Sequence, residues 1–209
     1  LKLNGKLIPF DDVKSWITKT WEIKNDQNIS LETYASAGGI QSLYSNYAKI
    51  PLKRLQQDSV YADIIFSRAL DNEEAALLTF AEVSTYMAKL IFERLETIYS
   101  GWQNRFEFLD PDHDRLKVNH PYRKTLLDRI IIGQRLGKLL NKSREPMLLW
   151  EPFQRDLYNN IEQSKTLTLE AKDHYLNGNN INQNLIMTSQ LDHAPVLGAG
   201  IAATHNIHD

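Results

Sequence analysis

The sequence predicts an all-α fold, an irregular helical bundle of about six helices, with a possible small β-hairpin at the N-terminus. Apolar residues recur at steps of three and four through most of the 209-residue chain, which is the spacing of one helix face. The chain shows neither an internal repeat nor the alternation of strands and helices that is typical of a parallel sheet. We expect residues 1–192 to form a single all-α domain and residues 193–209 to form a C-terminal tail.

The composition is that of a globular protein, with 42% hydrophobic and 24% charged residues. The chain contains no cysteine, which excludes a disulfide scaffold, a thiolate zinc site and a cysteine hydrolase. Because the usual sign of an oxidising compartment is missing, we expect a cytoplasmic protein. A membrane span needs about 20 consecutive apolar residues, and no run of the sequence approaches that length.

The N-terminal residues predict a hairpin followed by a helix. Asn4 and Gly5 lie between alternating leucines and suit the two centres of a tight turn. Asp11 or Asp12 can cap the helix that follows. This helix places four apolar side chains on one face, namely Val13, Trp16, Ile17 and Trp21.

Helical signals continue from residue 26 to residue 70. Gly38 and Gly39 are expected to break the pattern, after which a helical stripe resumes until Pro51 ends it. Another helix is predicted from Leu52 to about Leu70, because apolar residues recur there at helical spacing.

The clearest helical pattern extends from Glu73 to Trp102. Apolar or small residues alternate there at steps of three and four, at positions 77, 81, 84, 88, 91, 95, 98 and 102. Asp71 is placed to cap this helix, and acids in its first turn match the helix dipole. A helix of this length spans roughly 40 Å, so we expect it to be the centre of the fold, with Ile91 and Leu95 buried.

Three further helices are predicted after a polar loop. Pro121 suits the first turn of a helix, and one is expected from there to about Asn141. A second is expected from about Phe153 to Asn177, closed by Gly178. A short third helix is predicted over residues 181–191.

Positive charge is concentrated between Arg115 and Arg144, where nine Lys or Arg accompany one acid, Asp128. Two interpretations stay open: the solvated outer face of a core helix, or a surface that binds an anionic partner. Gly133 and Gly137 each cost about 1 kcal/mol in a helix relative to alanine, which indicates close approach of another helix or backbone. The candidate partner-binding residues are Arg123, Arg129, Arg135, Lys138 and Lys142.

The overall charge favours a protein partner over a nucleic acid. The formal net charge is −2 and the pI is near 6.3, whereas a domain devoted to phosphate backbones usually has a high pI. A compact acidic or helical segment of another protein can engage the cations without meeting the acidic remainder of the surface. We therefore expect a non-enzymatic adaptor, chaperone or assembly subunit of a larger complex.

An alternative function comes from Arg115 and His120, which are five positions apart. This spacing resembles the Arg-x4-6-His signature of HEPN ribonucleases, an all-α family. The resemblance implies that Arg115 would stabilise an RNA phosphate while His120 would move a proton. Leu116 departs from the family pattern because it is apolar, and Pro121 disfavours helical angles at His120. The alternative is thus a nucleic-acid binder or HEPN-like ribonuclease acting through residues 115–144.

No metal or cofactor site is predicted. Residues 110–114 begin like a calcium loop, but Arg115 stands where that loop needs glycine and Pro121 where it needs a bidentate glutamate. The histidines and acid of residues 205–209 are too few for a transition metal without help from His193. The sequence also contains no nucleophile elbow, phosphate loop or dinucleotide fingerprint.

Overall fold

A computed structural model of the protein describes residues 2–3, 6–7, 22–25, 27–101, 123–144 and 147–189. The described part is mainly helical, as predicted, with several short strands. The predicted helix at residues 11–21 and the tail at residues 193–209 lie outside it. The described helices are α1 (Leu31–Tyr34), α2 (Ala37–Ala48), α3 (Leu52–Gln57), α4 (Ala62–Leu70), α5 (Glu74–Ser100), α6 (Gln134–Lys142), α7 (Trp150–Glu162) and α8 (Leu169–Tyr175).

Six short strands form three separate pairs in the described part of the chain. The predicted N-terminal hairpin is confirmed, since the strands around Asn4-Gly5 pair in antiparallel fashion. A second antiparallel pair follows α8, and a third pair is parallel. The strands are β1 (Lys2–Leu3), β2 (Lys6–Leu7), β3 (Ile130–Ile132), β4 (Leu176–Asn177), β5 (Asn180–Ile181) and β6 (Ile186–Thr188), paired β1 with β2, β3 with β6 and β4 with β5.

Helix α5 is the centre of the described fold, as its length and periodicity predict. It packs against α2 and α4 and makes its most extensive contact with α7. Leu95 is fully buried and Ile91 is 8% exposed, so both predictions of burial are confirmed. The core continues into α7 through Phe153, Leu157 and Ile161.

Helix α5 begins two residues later than the predicted cap implies. The N–H of Asp71 donates to the carbonyl of Ser67 at 3.1 Å, so Asp71 belongs to the last turn of α4 and the prediction that it caps α5 is wrong. Glu73 takes the N-cap position instead. Its carboxylate accepts a 2.5 Å hydrogen bond from the Tyr44 hydroxyl, which also accepts one from Arg68. This cluster ties α2, α4 and the start of α5 together.

The helix predicted over residues 52–70 is two helices, α3 and α4. Ser59 adopts a left-handed backbone conformation, with φ of 54°. The N–H of Val60 then donates to the carbonyl of Leu55 at 2.8 Å, which closes α3 in a Schellman motif. Because this motif usually contains glycine, a serine in its place leaves no break in the sequence pattern.

The helix predicted from Pro121 to Asn141 is wrong over most of its length. Residues 130–132 form β3, and only α6 is helical, starting after Gly133. Three consecutive isoleucines are β-branched and favour a strand. The strand pairs with β6, which also replaces the helix predicted over residues 181–191.

The predicted C-terminal helix is likewise divided, into α7 and α8. The connecting loop is held by Glu96 of α5, whose carboxylate accepts hydrogen bonds from Ser164 at 2.7 Å and Thr166 at 2.5 Å. The Thr168 hydroxyl then accepts from the N–H of Ala171 and caps α8. Gly178 lies in the turn between β4 and β5 with φ of 59°.

Gly38 and Gly39 do not break the helical pattern, contrary to prediction, but lie in the first turn of α2. Ser36 caps this helix by accepting a hydrogen bond from Gly39 at 3.0 Å. A Cβ atom on Gly39 would lie 2.3 Å from the carbonyl oxygen of Tyr34. Glycine is therefore required where α1 turns into α2.

Although the sequence contains no run of about 20 consecutive apolar residues, helix α5 is long and apolar enough on average to cross a membrane by length and composition alone. Half of its most apolar stretch is buried inside the fold, and that stretch has a mean hydropathy of 1.3. The central helix of a helical domain passes the same test because other helices surround it. Contact with α2, α4 and α7 accounts for the buried half of this stretch.

Candidate functional site

An apolar groove lies between α5 and the segment formed by β3 and the first turn of α6. Its cavity volume is about 530 Å³. We call it the β3 groove. Its apolar walls come from Met87, Leu90, Ile91, Ile130, Ile132 and Leu136, while Ile131 also borders it and residues 32 and 35–37 lie on a third side.

The groove follows from the helical repeat of α5. Met87, Leu90, Ile91 and Arg94 are separated by steps of three, one and three, which place them on one side of the helix. The neighbouring side of α5 is covered by other helices, with Phe80, Val83 and Leu95 fully buried. The groove is therefore an apolar strip of the central helix that β3 and α6 leave partly open.

Arg94 is a half-buried cation in this apolar groove. Burial lowers the pKa of its guanidinium from the usual value of 12.5, while the negative charges of Glu32 and Glu22 raise it. Arginine stays protonated in proteins at neutral pH, so Arg94 presents a partly desolvated positive charge. Electrostatic attraction to an acid is stronger there than at a fully solvated site.

A second cation, Arg135, joins the groove to the surface of α6. Arg135, Lys138 and Lys142 are separated by three and four residues, so they lie within about 60° around the helix axis. All three are exposed, and Lys142 forms an exposed 3.4 Å ion pair with Asp63. We call these three residues the basic face. Because Arg135 also lines the groove, the basic face and the groove are continuous.

The other two predicted partner-binding residues, Arg123 and Arg129, are exposed but do not belong to α6. Arg123 lies in a turn, and Arg129 immediately precedes β3. The single helical face predicted for all five cations is therefore wrong, since β3 interrupts it. Among the residues described, neither Arg129 nor Arg135 forms an ion pair.

Gly137 confirms the predicted close approach of backbone. A Cβ atom there would lie 2.4 Å from the carbonyl oxygen of Ile132. The approaching segment is the end of β3, which is close to Gly137 in the chain, rather than another helix. At Gly133 the nearest atom is 3.8 Å away, so that position has no comparable contact.

A smaller concave site lies beside α5. Its volume is about 330 Å³, and its lining includes Glu82, Tyr86 and Lys89. Glu82 accepts a 2.6 Å hydrogen bond from the Tyr47 hydroxyl, which raises the pKa of Tyr47 to about 12. The described residues that line it are all polar, whereas the β3 groove has apolar walls.

The residues considered for catalysis or metal binding lie outside the part of the chain that the structure describes. Arg115 and His120, the pair that resembles the HEPN signature, lie outside the described residues. The same is true of the calcium-like stretch at residues 110–114 and the C-terminal histidines. In the described ranges, no group of three His, Cys, Asp or Glu side chains is placed to hold a metal ion.

Sequence reasoning did not identify the groove or Arg94. The only signal was a positive charge at helical spacing from Met87, Leu90 and Ile91, in a helix that also carries Glu82, Lys89, Glu93 and Glu96. Such a charge marks either the edge of the apolar stripe or a half-buried cation. Only the placement of β3 against α5 distinguishes the two.

No protein-family model matches this chain, and no curated protein or solved structure matches it either. The geometry of the β3 groove and the basic face is therefore the basis for a functional proposal.

Proposed function

We propose that the protein is a non-enzymatic adaptor, chaperone or assembly subunit that binds an acidic, partly apolar segment of another protein. The segment would lie in the β3 groove and extend onto the basic face. The main support for the proposal is that Arg135 belongs to both surfaces, because it lines the groove and also lies on the basic face of α6.

The apolar walls supply most of the expected affinity. Burying one Leu, Ile or Met side chain of the partner is worth roughly 1.5 to 3 kcal/mol. The groove offers several apolar side chains against which such a residue can pack. Its volume of about 530 Å³ is within the range of typical ligand pockets, about 300 to 1,000 Å³. The groove can therefore hold a few apolar side chains of a partner.

The cations supply selectivity for an acidic segment. Among the described residues, Arg94 and Arg135 border the groove together with one acid, Glu32, and α6 carries no acid. A carboxylate placed between the two guanidinium groups would form charge-assisted hydrogen bonds, which are stronger than neutral ones. A basic or neutral segment would add no such bond to Arg94, and the charge of Arg94 would then be opposed only by Glu32 and Glu22.

The titratable groups at the groove support binding rather than acid–base catalysis. Among the described lining residues, two of these groups are arginines, which neither accept nor release a proton at neutral pH. The third, Glu32, is exposed and lies outside the apolar part of the lining. A general acid or base needs a pKa near the working pH, and the groove's arginines cannot supply one.

Peptide selection tests the proposal directly. A display library of random 12-residue peptides would be selected on the immobilised full-length protein, and the affinity of the enriched peptides measured by fluorescence anisotropy. We expect enrichment of peptides that combine acidic and apolar residues. Binding should weaken as salt is raised, because exposed charges contribute.

Charge reversal provides the decisive variant. Arg135→Glu with Lys138→Glu should weaken binding of the selected peptides about 10- to 100-fold, since each change replaces attraction by repulsion. Lys53→Glu with Lys165→Glu makes the same change in net charge at exposed positions outside the groove and the basic face, and should leave affinity nearly unchanged.

Two results would contradict the proposal. One is a failure to enrich any peptide above the background seen with an unrelated helical protein. The other is micromolar binding of generic RNA or DNA in physiological salt, which would favour the nucleic-acid alternative acting through residues 115–144.

A further inference from the structure

The lining of the β3 groove shows how a partner segment would be held. All three residues of β3 border the groove, whereas no residue of β6 does. Successive side chains of a strand point to opposite faces, so a groove bordered by all three follows the strand's edge. Since β6 occupies one edge, the groove runs along the other.

The hydrogen bonds of β3 agree with this placement. The N–H of Ile130 donates to the Leu185 carbonyl at 2.7 Å, and the Ile132 carbonyl accepts from Ser189 at 2.9 Å. Amide groups of successive residues in a strand alternate between its two edges. The N–H and C=O of Ile131 therefore point away from β6, and they have no hydrogen-bond partner among the described residues.

The outer face of the strand pair is apolar as well. Ile131 and Met187 are register partners, so their side chains lie side by side, and they are 68% and 42% exposed. Parallel sheets are normally covered on both faces. A short parallel pair with an apolar face and an open edge is a template for another strand.

We infer that β3 accepts an extended segment of another protein as a third strand along the β3 groove. This inference rests on the proposed function and specifies its mode of recognition. Backbone groups of the segment would bond with the N–H and C=O of Ile131. Alternate side chains of the segment would pack against Leu90 and Ile91, and an acidic residue of the segment would form an ion pair with Arg94 or Arg135.

Two other occupants fit the groove less well. A docked helix satisfies its own backbone internally and would leave the amide groups of Ile131 without partners. A second copy of this chain that paired β3 with β3 would bring Arg129 and Arg135 of one copy close to those of the other, and like charges oppose that contact. An acidic strand from a different protein has neither disadvantage.

Substitutions at Ile131 separate backbone recognition from side-chain recognition. Ile131→Pro removes the N–H donor, which is tolerated at the open edge of a strand. Ile131→Ala keeps the donor and removes the exposed side chain. For a peptide selected on the unmodified protein, we expect Ile131→Pro to weaken binding about tenfold. Ile131→Ala should weaken it no more than about threefold.

A change in the peptide provides a second measurement that does not depend on folding of the variant. Single N-methyl groups are placed along the backbone of the selected peptide, one position at a time. If the peptide binds as a strand along β3, an N-methyl group should weaken binding at every second position of the peptide, because alternate amides face β3. Thermal unfolding of both Ile131 variants controls for misfolding.

Three outcomes would overturn the inference. If Ile131→Pro and Ile131→Ala bind the peptide equally, or the N-methyl losses follow helical spacing, strand addition is wrong while the proposed function stands. If ultracentrifugation shows a dimer that Ile131→Pro dissociates, the occupant is a second copy of this chain. If the unmodified protein binds no peptide, the proposed function and this inference both fail.

Discussion

Gly137 lies where α6 comes close to the end of β3. Two opposing effects decide how an alanine at this position would change stability. In a helix interior, glycine is less stable than alanine by about 1 kcal/mol. A Cβ atom at this position, however, would lie 2.4 Å from the carbonyl oxygen of Ile132. That oxygen belongs to the backbone and also accepts the Ser189 N–H, so it has little freedom to move.

We expect the steric effect to exceed the helix propensity. Gly137→Ala should lower the free energy of unfolding by about 1 to 2 kcal/mol, because overpacking a buried site costs about 1 to 3 kcal/mol. Gly38→Ala is the matched control. Its Cβ would find no atom closer than 3.9 Å, and it should raise stability by up to about 1 kcal/mol. Urea denaturation of both variants checks this, and a stabilised Gly137→Ala would contradict the packing described here.

At the scale of elements, the long periodic pattern of α5 could be read from the sequence. Its observed bounds differ from the predicted ones by only one residue at the start and two at the end. The prediction is accurate because apolar residues at steps of three and four, sustained over so many residues, do not fit the period of a strand. The breaks at Ser59 and residues 163–168 could not be predicted. They depend on a left-handed serine and on hydrogen bonds to Glu96, which comes from a distant part of the chain.

Replacing leucine by alanine on the two sides of α5 should lower the free energy of unfolding by different amounts. Leu95→Ala removes a fully buried side chain and should cost about 2 to 5 kcal/mol. Leu78→Ala, at a position that is 43% exposed on the same helix, should cost less than about 1 kcal/mol. The midpoint of chemical denaturation reports both. Equal effects of the two variants would mean that α5 is not the centre of the fold.

At the scale of the whole molecule, Tyr175 links α8 to the segment that leads into β3. Its hydroxyl accepts a 3.0 Å hydrogen bond from the N–H of Leu127. Burial raises the pKa of Tyr175 to about 12, although that hydrogen bond lowers it in part. The neutral phenol is therefore favoured in the folded state relative to the unfolded chain.

This pKa difference predicts a loss of stability in alkaline solution. Between pH 10 and 12 the unfolded chain releases the Tyr175 proton while the folded protein keeps it, so the free energy of unfolding falls as pH rises. Below pH 10 the contribution is fully present. Tyr175→Phe should make the decline shallower in urea denaturation at pH 9, 10 and 11. Tyr61→Phe removes the same hydroxyl group at a half-exposed position and is the matched control for the substitution.

The sequence by itself determined the features that depend on neighbouring residues: the mainly helical class, the central α5 with Leu95 inside, the hairpin at Asn4-Gly5 and the cationic stretch that contains Arg135. Helical periodicity, turn chemistry and charge are local properties, so they can be read along the chain. Only the tertiary structure decided that residues 130–132 are a strand, because their partner strand at residues 186–188 is remote in sequence. The β3 groove and the half-buried charge of Arg94 exist for the same reason, since both require α5, β3 and α6 to meet.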